Sequence, residues 1–153
     1  MKNILLPVLV LLAGGFAATP PPIALKGYFA CAGAVVEGTD KALSCYALTQ
    51  RSCRNGTVVL AYEQLISKAK GRPTYRIVDT VNVQVNSAKQ ALEVTTCVDP
   101  SGKRRSYFVL ISLKQPGEYL RGIQRAWTYS AKDELTEVPL KMVKCINNDY
   151  GAD

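Results

Sequence analysis

The chain has 153 residues, of which 48% are apolar and 20% charged, and its 19 basic and 12 acidic side chains leave a formal net charge of +7. Those proportions describe one ordinary globular domain and exclude a disordered, collagen-like or multidomain chain. A domain of this size buries only about two thirds of the surface its unfolded chain exposes, so it gains from covalent staples, and five cysteines are available.

The N-terminus has the order of a signal peptide: Lys2, an apolar run from Ile4 to Leu12, then the small residues Ala13, Gly14, Gly15 and Ala17. Gly15 and Ala17 suit the small-x-small positions, which predicts cleavage before Ala18 and removal of residues 1–17. The apolar run falls short of the roughly 20 residues a spanning helix needs. The expectation is a secreted protein, or a periplasmic one in a bacterium, with no stable membrane insertion. Residues 18–27, with Pro20, Pro21 and Pro22, read as a Pro-rich leader, and 28–153 as a single disulfide-stapled domain.

A small, apolar stretch over 28–36 is compatible with a first strand, and Asp40 can cap a short helix over 41–50. Over 57–70, Val58, Val59, Tyr62, Leu65, Ile66 and Ala69 recur at i, i+1, i+4, i+7, i+8 and i+11, which predicts an amphipathic helix that stops at Gly71 and Pro73. Alternation follows. Tyr75, Ile77, Val81, Val83 and Val85 alternate with polar residues, and Leu92, Val94, Thr96 and Val98 repeat the pattern. The span 107–113 is apolar on both faces, as a central strand would be. Strands over 119–129 and 138–146, separated by a polar connector that contains Asp133 and Glu134, complete the count. One main helix on a curved antiparallel sheet of about five strands is an α+β domain.

An oxidising compartment pairs cysteines. Of the connectivities open to Cys31, Cys45, Cys53, Cys97 and Cys145, the favoured pairs are Cys45 with Cys53, closing a short loop, and Cys97 with Cys145, tying an interior strand to the last one. Cys31 is then left over, buried among small residues or free to form an intermolecular bridge. Asn55-Gly56-Thr57 is a glycosylation sequon, with Asn55 as acceptor. No C-x-x-C spacing and no histidine occurs, so neither a metal nor another cofactor is expected.

The order of parts in 61–97, a helix through Ala61-Tyr62-Glu63-Gln64-Leu65, a strand through Tyr75-Arg76-Ile77-Val78, a turn after Gln84-Val85, then Ala91 to Cys97, resembles the cystatin superfamily. NTF2-like domains share that layout. The cystatin resemblance implies a helix wrapped by a curved sheet and a first hairpin loop that enters the cleft of papain-like proteases. Here that loop reads Gln84, Val85, Asn86, Ser87 and Ala88, and a second loop carries Pro116 and Gly117.

The functional expectation is a secreted, non-catalytic module that binds a protein, with a papain-like protease as the partner the resemblance implies. The alternative is a structural or interaction protein of an extracellular matrix or bacterial envelope, including an immunity-type protein. Without histidine the commonest general base is missing, so an enzyme is not expected. The basic run Lys103-Arg104-Arg105 follows the turn at 99–102 and reads as a solvated hairpin tip; nucleic acid is not an expected partner.

Overall fold

A computed structural model describes residues 23–113 and 117–150. Their strands form two antiparallel sheets. The first takes β1 (Phe29–Val35), β2 (Lys41–Ala47), β3 (Gly56–Ser67) and β4 (Thr74–Val85) in chain order. The second takes β5 (Gln90–Val98), β6 (Arg104–Ser112), β7 (Ile123–Tyr129) and β8 (Leu135–Glu137), while β9 (Lys144–Cys145) returns to pair with β5.

Alternation makes the two sheets a sandwich. In the first, Leu43 and Cys45 of β2, Val58, Leu60 and Tyr62 of β3, and Val83 and Val85 of β4 all turn to one side, where they meet Phe108, Leu110, Trp127 and Leu135 of the second. Each large apolar side chain buried there contributes about 1.5–3 kcal/mol. The other face of the second sheet is also covered: Tyr107, Val109, Ile111 and Ala126 pack under Leu120, Cys145 and the partly buried Val138 and Val143. That double burial explains why β6 has no wet face, and it lies between β5 and β7 as a central strand.

The expected α+β architecture is overturned. The residues read as the main helix are β3, paired on one side with β2 and on the other with β4. Every residue from Val58 to Glu63 is buried, so an apolar run created by two covered faces satisfies helical spacing as readily as strand spacing. The β-branched and aromatic content of Thr57, Val58, Val59, Tyr62 and Ile66 favours the strand. Leu65 is only half-buried and Ile66 exposed, which a core-facing helical stripe would not allow. The short helix expected over 41–50 is likewise a strand, β2, with Leu43, Cys45 and Ala47 inward, followed by a 3-10 turn at Arg51–Cys53. The helix on a curved sheet implied by the cystatin and NTF2-like layouts is therefore absent from the described residues. Smaller shifts accompany this: the polar connector after β7 supplies β8, and the strand expected over 138–146 reduces to β9 and a 3-10 turn at Leu140–Met142.

Cys97 is bonded to Cys145, the pairing expected from sequence, but Cys53 is bonded to Cys31 and not to Cys45. The reason is local geometry. Ala30 pairs with Tyr46 and Ala32 with Cys45, so Cys31 is the extra residue of a β-bulge, which frees its side chain from the strand's alternation. Cys45 points into the core at 4% exposure, and it is the unpaired thiol. Cys31, spent on Cys53, is thus not the leftover cysteine. Burial also pushes the Cys45 thiol above its ordinary pKa.

The proposed signal segment 1–17 and the start of the leader lie outside the described residues. Ile23 bridges Ile77 at the β4 edge, and by Phe29 the chain has reached the opposite edge, at β1. Glu63, 5% exposed on the outward side of β3, accepts hydrogen bonds from Ser44 Oγ at 2.8 Å and Tyr46 Oη at 2.5 Å. Burial, then that carboxylate, pushes the Tyr46 phenol up to about 12.

Candidate functional site

Three turns meet at one end of the sandwich, and each is fixed by its own short-range hydrogen bonds. Between β1 and β2, Val36 N donates to Lys41 O at 2.9 Å, and Thr39 Oγ1 donates to Val36 O at 2.8 Å. Between β5 and β6, Asp99 Oδ1 accepts from Ser101 N at 2.9 Å and Lys103 N at 3.0 Å, and Gly102 adopts the left-handed φ of 82° that the turn requires. Those donors hold the Asp99 carboxyl below its ordinary pKa, with the Ser101 side chain first among the causes. Between β7 and β8, Ser130 N donates to Glu134 O at 2.8 Å, and Asp133 takes a left-handed φ of 60°.

Asp133 then crosses from one sheet to the other. Its Oδ1 accepts from Lys41 Nζ at 2.9 Å and from Tyr62 Oη at 2.8 Å, while the Tyr62 and Tyr129 rings stack with centroids 4.9 Å apart. Lys41 Nζ lies 4.9 Å from the Tyr129 centroid, within cation–π range. A second tie runs parallel: Leu135 N donates to Asp79 Oδ2 at 2.7 Å. The turn that sequence alone reads as a solvated connector is therefore bolted to β2, β3 and β4. An aspartate at positive φ is a recognised turn signal, yet nothing local to residue 133 points to Lys41 and Tyr62.

Charge holds this clasp together. The Asp133 carboxyl sits below its ordinary pKa, first because of the Lys41 ammonium and then the Tyr62 hydroxyl, and Lys41 is raised in turn by Tyr62 and Asp133. A depressed carboxylate stabilises the fold above its unfolded value, about 3.9, and that contribution is lost as pH falls through the folded value. With the Asp133 side chain 48% exposed, water screens the pair, so Asp133→Asn is expected to cost about 1 kcal/mol or less at neutral pH. Thermal denaturation of both proteins across pH should show that gap closing in acid. A gap that is the same at every pH would assign the effect to shape and not to charge.

Two hollows flank the joined turns. One, of about 360 Å³, is lined by Lys41, Lys103, Arg104, Arg105 and Tyr129, with Glu37 as its carboxylate. The other, of about 460 Å³, is mostly apolar and is lined by Tyr107, Val138, Pro139, Met142 and Val143. Arg105, Tyr129 and Ser130 border both.

Of the residues expected to touch a partner, Gln84 to Ala88 lie at the opposite end, between β4 and β5. Gln84 is exposed at the end of β4, where Thr57 Oγ1 donates to its Oε1 at 2.9 Å. Val85 is 2% exposed and belongs to the core, so its side chain cannot reach a partner. Asn86, Ser87 and Ala88 form an exposed turn, in which Asn86 Oδ1 accepts from Ala88 N at 3.1 Å. Pro116 lies outside the described residues, and Gly117 accepts a hydrogen bond from Asn147 Nδ2 at 2.8 Å. Next to that turn Leu113 N donates to Lys89 O at 3.2 Å, and residues 114–116, which follow Leu113, lie outside the described residues. Asn55 is exposed in the turn before β3.

A comparison with family models, curated proteins and solved structures finds no match for this chain. The two intramolecular disulfides indicate an oxidising, extracellular-type environment. No helix among the described residues is long and apolar enough to cross a membrane. No group of three or more potential metal ligands occurs among the described residues.

Proposed function

We propose that the protein is a secreted, non-catalytic module that binds another protein through the turn end of its sandwich. The observation that carries this reading is the clasp: Asp133, Lys41, Tyr62 and Tyr129 fix a turn of one sheet onto the other, beside a basic hollow and an apolar one. A surface held rigid before contact loses less conformational freedom on binding, which is the advantage of preorganisation. Export, for which the signal-like N-terminus and the disulfides speak, would put that surface in contact with extracellular or periplasmic partners.

One observation favours a second site. The Lys89–Leu113 hydrogen bond sets the exposed turn at 86–88 beside Leu113, an end of the sandwich that would serve as a wedge for a protease cleft. Lysine-directed cross-linking in the native compartment separates the two. The turn-end reading expects partner cross-links at the exposed Lys103 and Lys132, whereas cross-links confined to the exposed Lys89 would overturn it and support the wedge.

A further inference from the structure

We infer that the paired hollows take an acidic peptide segment carrying one large apolar side chain, with the carboxylates against Lys103, Arg104 and Arg105 and the apolar group beside Met142. This rests on the turn-end reading above and names the chemistry of its partner.

The charge at this end is available for an outside ligand. Among the described residues the ion pairs are Lys41 with Asp133 and Arg125 with Glu137, so no described carboxylate is paired with Lys103, Arg104 or Arg105. The nearby acids are otherwise engaged. Asp99 is turned onto Ser101 and the Lys103 amide, close enough to Arg105 to be felt by it, and Asp133 Oδ1 is held by Lys41 and Tyr62. Only Glu37 lines the basic hollow with an opposite charge. Carboxylates suit such a site, because guanidinium groups offer planar, forked donors.

The second hollow decides between kinds of polyanion. Beside Arg105 and Asp99 its lining is Tyr107, Val138, Pro139, Met142 and Val143, a surface against which an aromatic or aliphatic side chain would bury and a sulfated sugar would not. Met142 is 42% exposed and flexible, so it can close around an anchor of irregular shape. Because Arg105 borders both hollows, an extended segment can place an acidic residue on one side and its anchor on the other. Interfaces commonly take this form, with an apolar anchor in a pocket and charges around it.

The test uses the full secreted chain and a fluorescein-labelled peptide of glutamates around one phenylalanine, followed by anisotropy at low and physiological salt. Expected results are saturable binding, a loss of roughly tenfold or more when the phenylalanine becomes alanine, and a similar loss for Arg105→Ala and for Met142→Lys. Met142→Lys changes an exposed side chain, and circular dichroism confirms that each variant folds. Equal binding of the two peptides, or a Met142→Lys variant that binds unchanged, would overturn the assignment. So would tighter binding of a sulfated polysaccharide. If the peptide fails while cross-links at Lys103 persist, the chemistry named here is wrong and the binding module stands; if both fail, the turn end is not the binding surface.

Discussion

Replacing Cys97 and Cys145 together by alanine is expected to lower the unfolding free energy by about 4 kcal/mol, since the bond closes a loop of sequence separation 48. Against a typical total of about 5–15 kcal/mol this is a large share. The residues it ties down explain the size of the effect. β9 has two residues and pairs only with the end of β5, through Cys97↔Cys145 and Val98↔Lys144. Around it, Leu120 N donates to Cys145 O and Ile146 N to Thr96 O, both at 2.9 Å, and Thr95 Oγ1 donates to Ile146 O at 2.8 Å. Without the crosslink only non-covalent contacts, these and the bonds of Asn147 to Gly117 and Glu118 among them, hold the segment that covers Val109, Ile111 and Ala126, so its loss loosens the cover of the outer cluster of the second sheet. Urea denaturation of the oxidised proteins measures the difference. A loss below about 1 kcal/mol would mean that the C-terminal segment is held by packing and not by the bond.

Trp127→Ala is expected to cost about 3–5 kcal/mol, the range for deleting a buried aromatic side chain. Trp127 is 1% exposed, lies between the sheets opposite Phe108, and is roofed by Arg125, whose guanidinium carbon stands 4.6 Å from the ring centroid. Glu137 locks that roof by accepting two hydrogen bonds from Arg125, at 2.8 and 2.6 Å. The cavity is hard to collapse, because its walls are strands from both layers and interiors relax only partly. Trp127 is the one tryptophan in the sequence, so the folded protein's emission reports this environment directly. Differential scanning calorimetry of the alanine variant measures the cost, and a fall under about 1 kcal/mol would show that the two layers can close over the gap.

Which parts of this architecture were readable from sequence follows from how many faces each strand buries. β4 and β5 carry a polar residue at nearly every second position, and their pattern marks them without ambiguity. β6 was readable for the opposite reason, as a short apolar run bounded by turns. β3 failed because it is long, buried on both sides over Val58–Glu63, and preceded by residues that can cap a helix. β2 failed because Lys, Ala and Leu are good helix formers, and tertiary pairing with β1 and β3 overrode that preference. The candidate site was less legible still. The run Lys103-Arg104-Arg105 is plain in the sequence, but its neighbours Lys41 and Tyr129 come from distant strands, and the clasp through Asp133 depends on contacts 71 and 92 residues away along the chain. The Cys31–Cys53 bond depends on a bulge that no spacing rule announces.

The first sheet uses no residue beyond Val85 and the second none before Gln90, and each disulfide joins cysteines on the same side of that divide. The backbone between these two residues is the sole covalent passage from one layer to the other. A single proteolytic nick there would leave two fragments, each closed on itself by its own crosslink, associated without any covalent bond, through the side chains pressed between them, the Asp133 and Asp79 contacts and the Asn86–Gln90 hydrogen bonds.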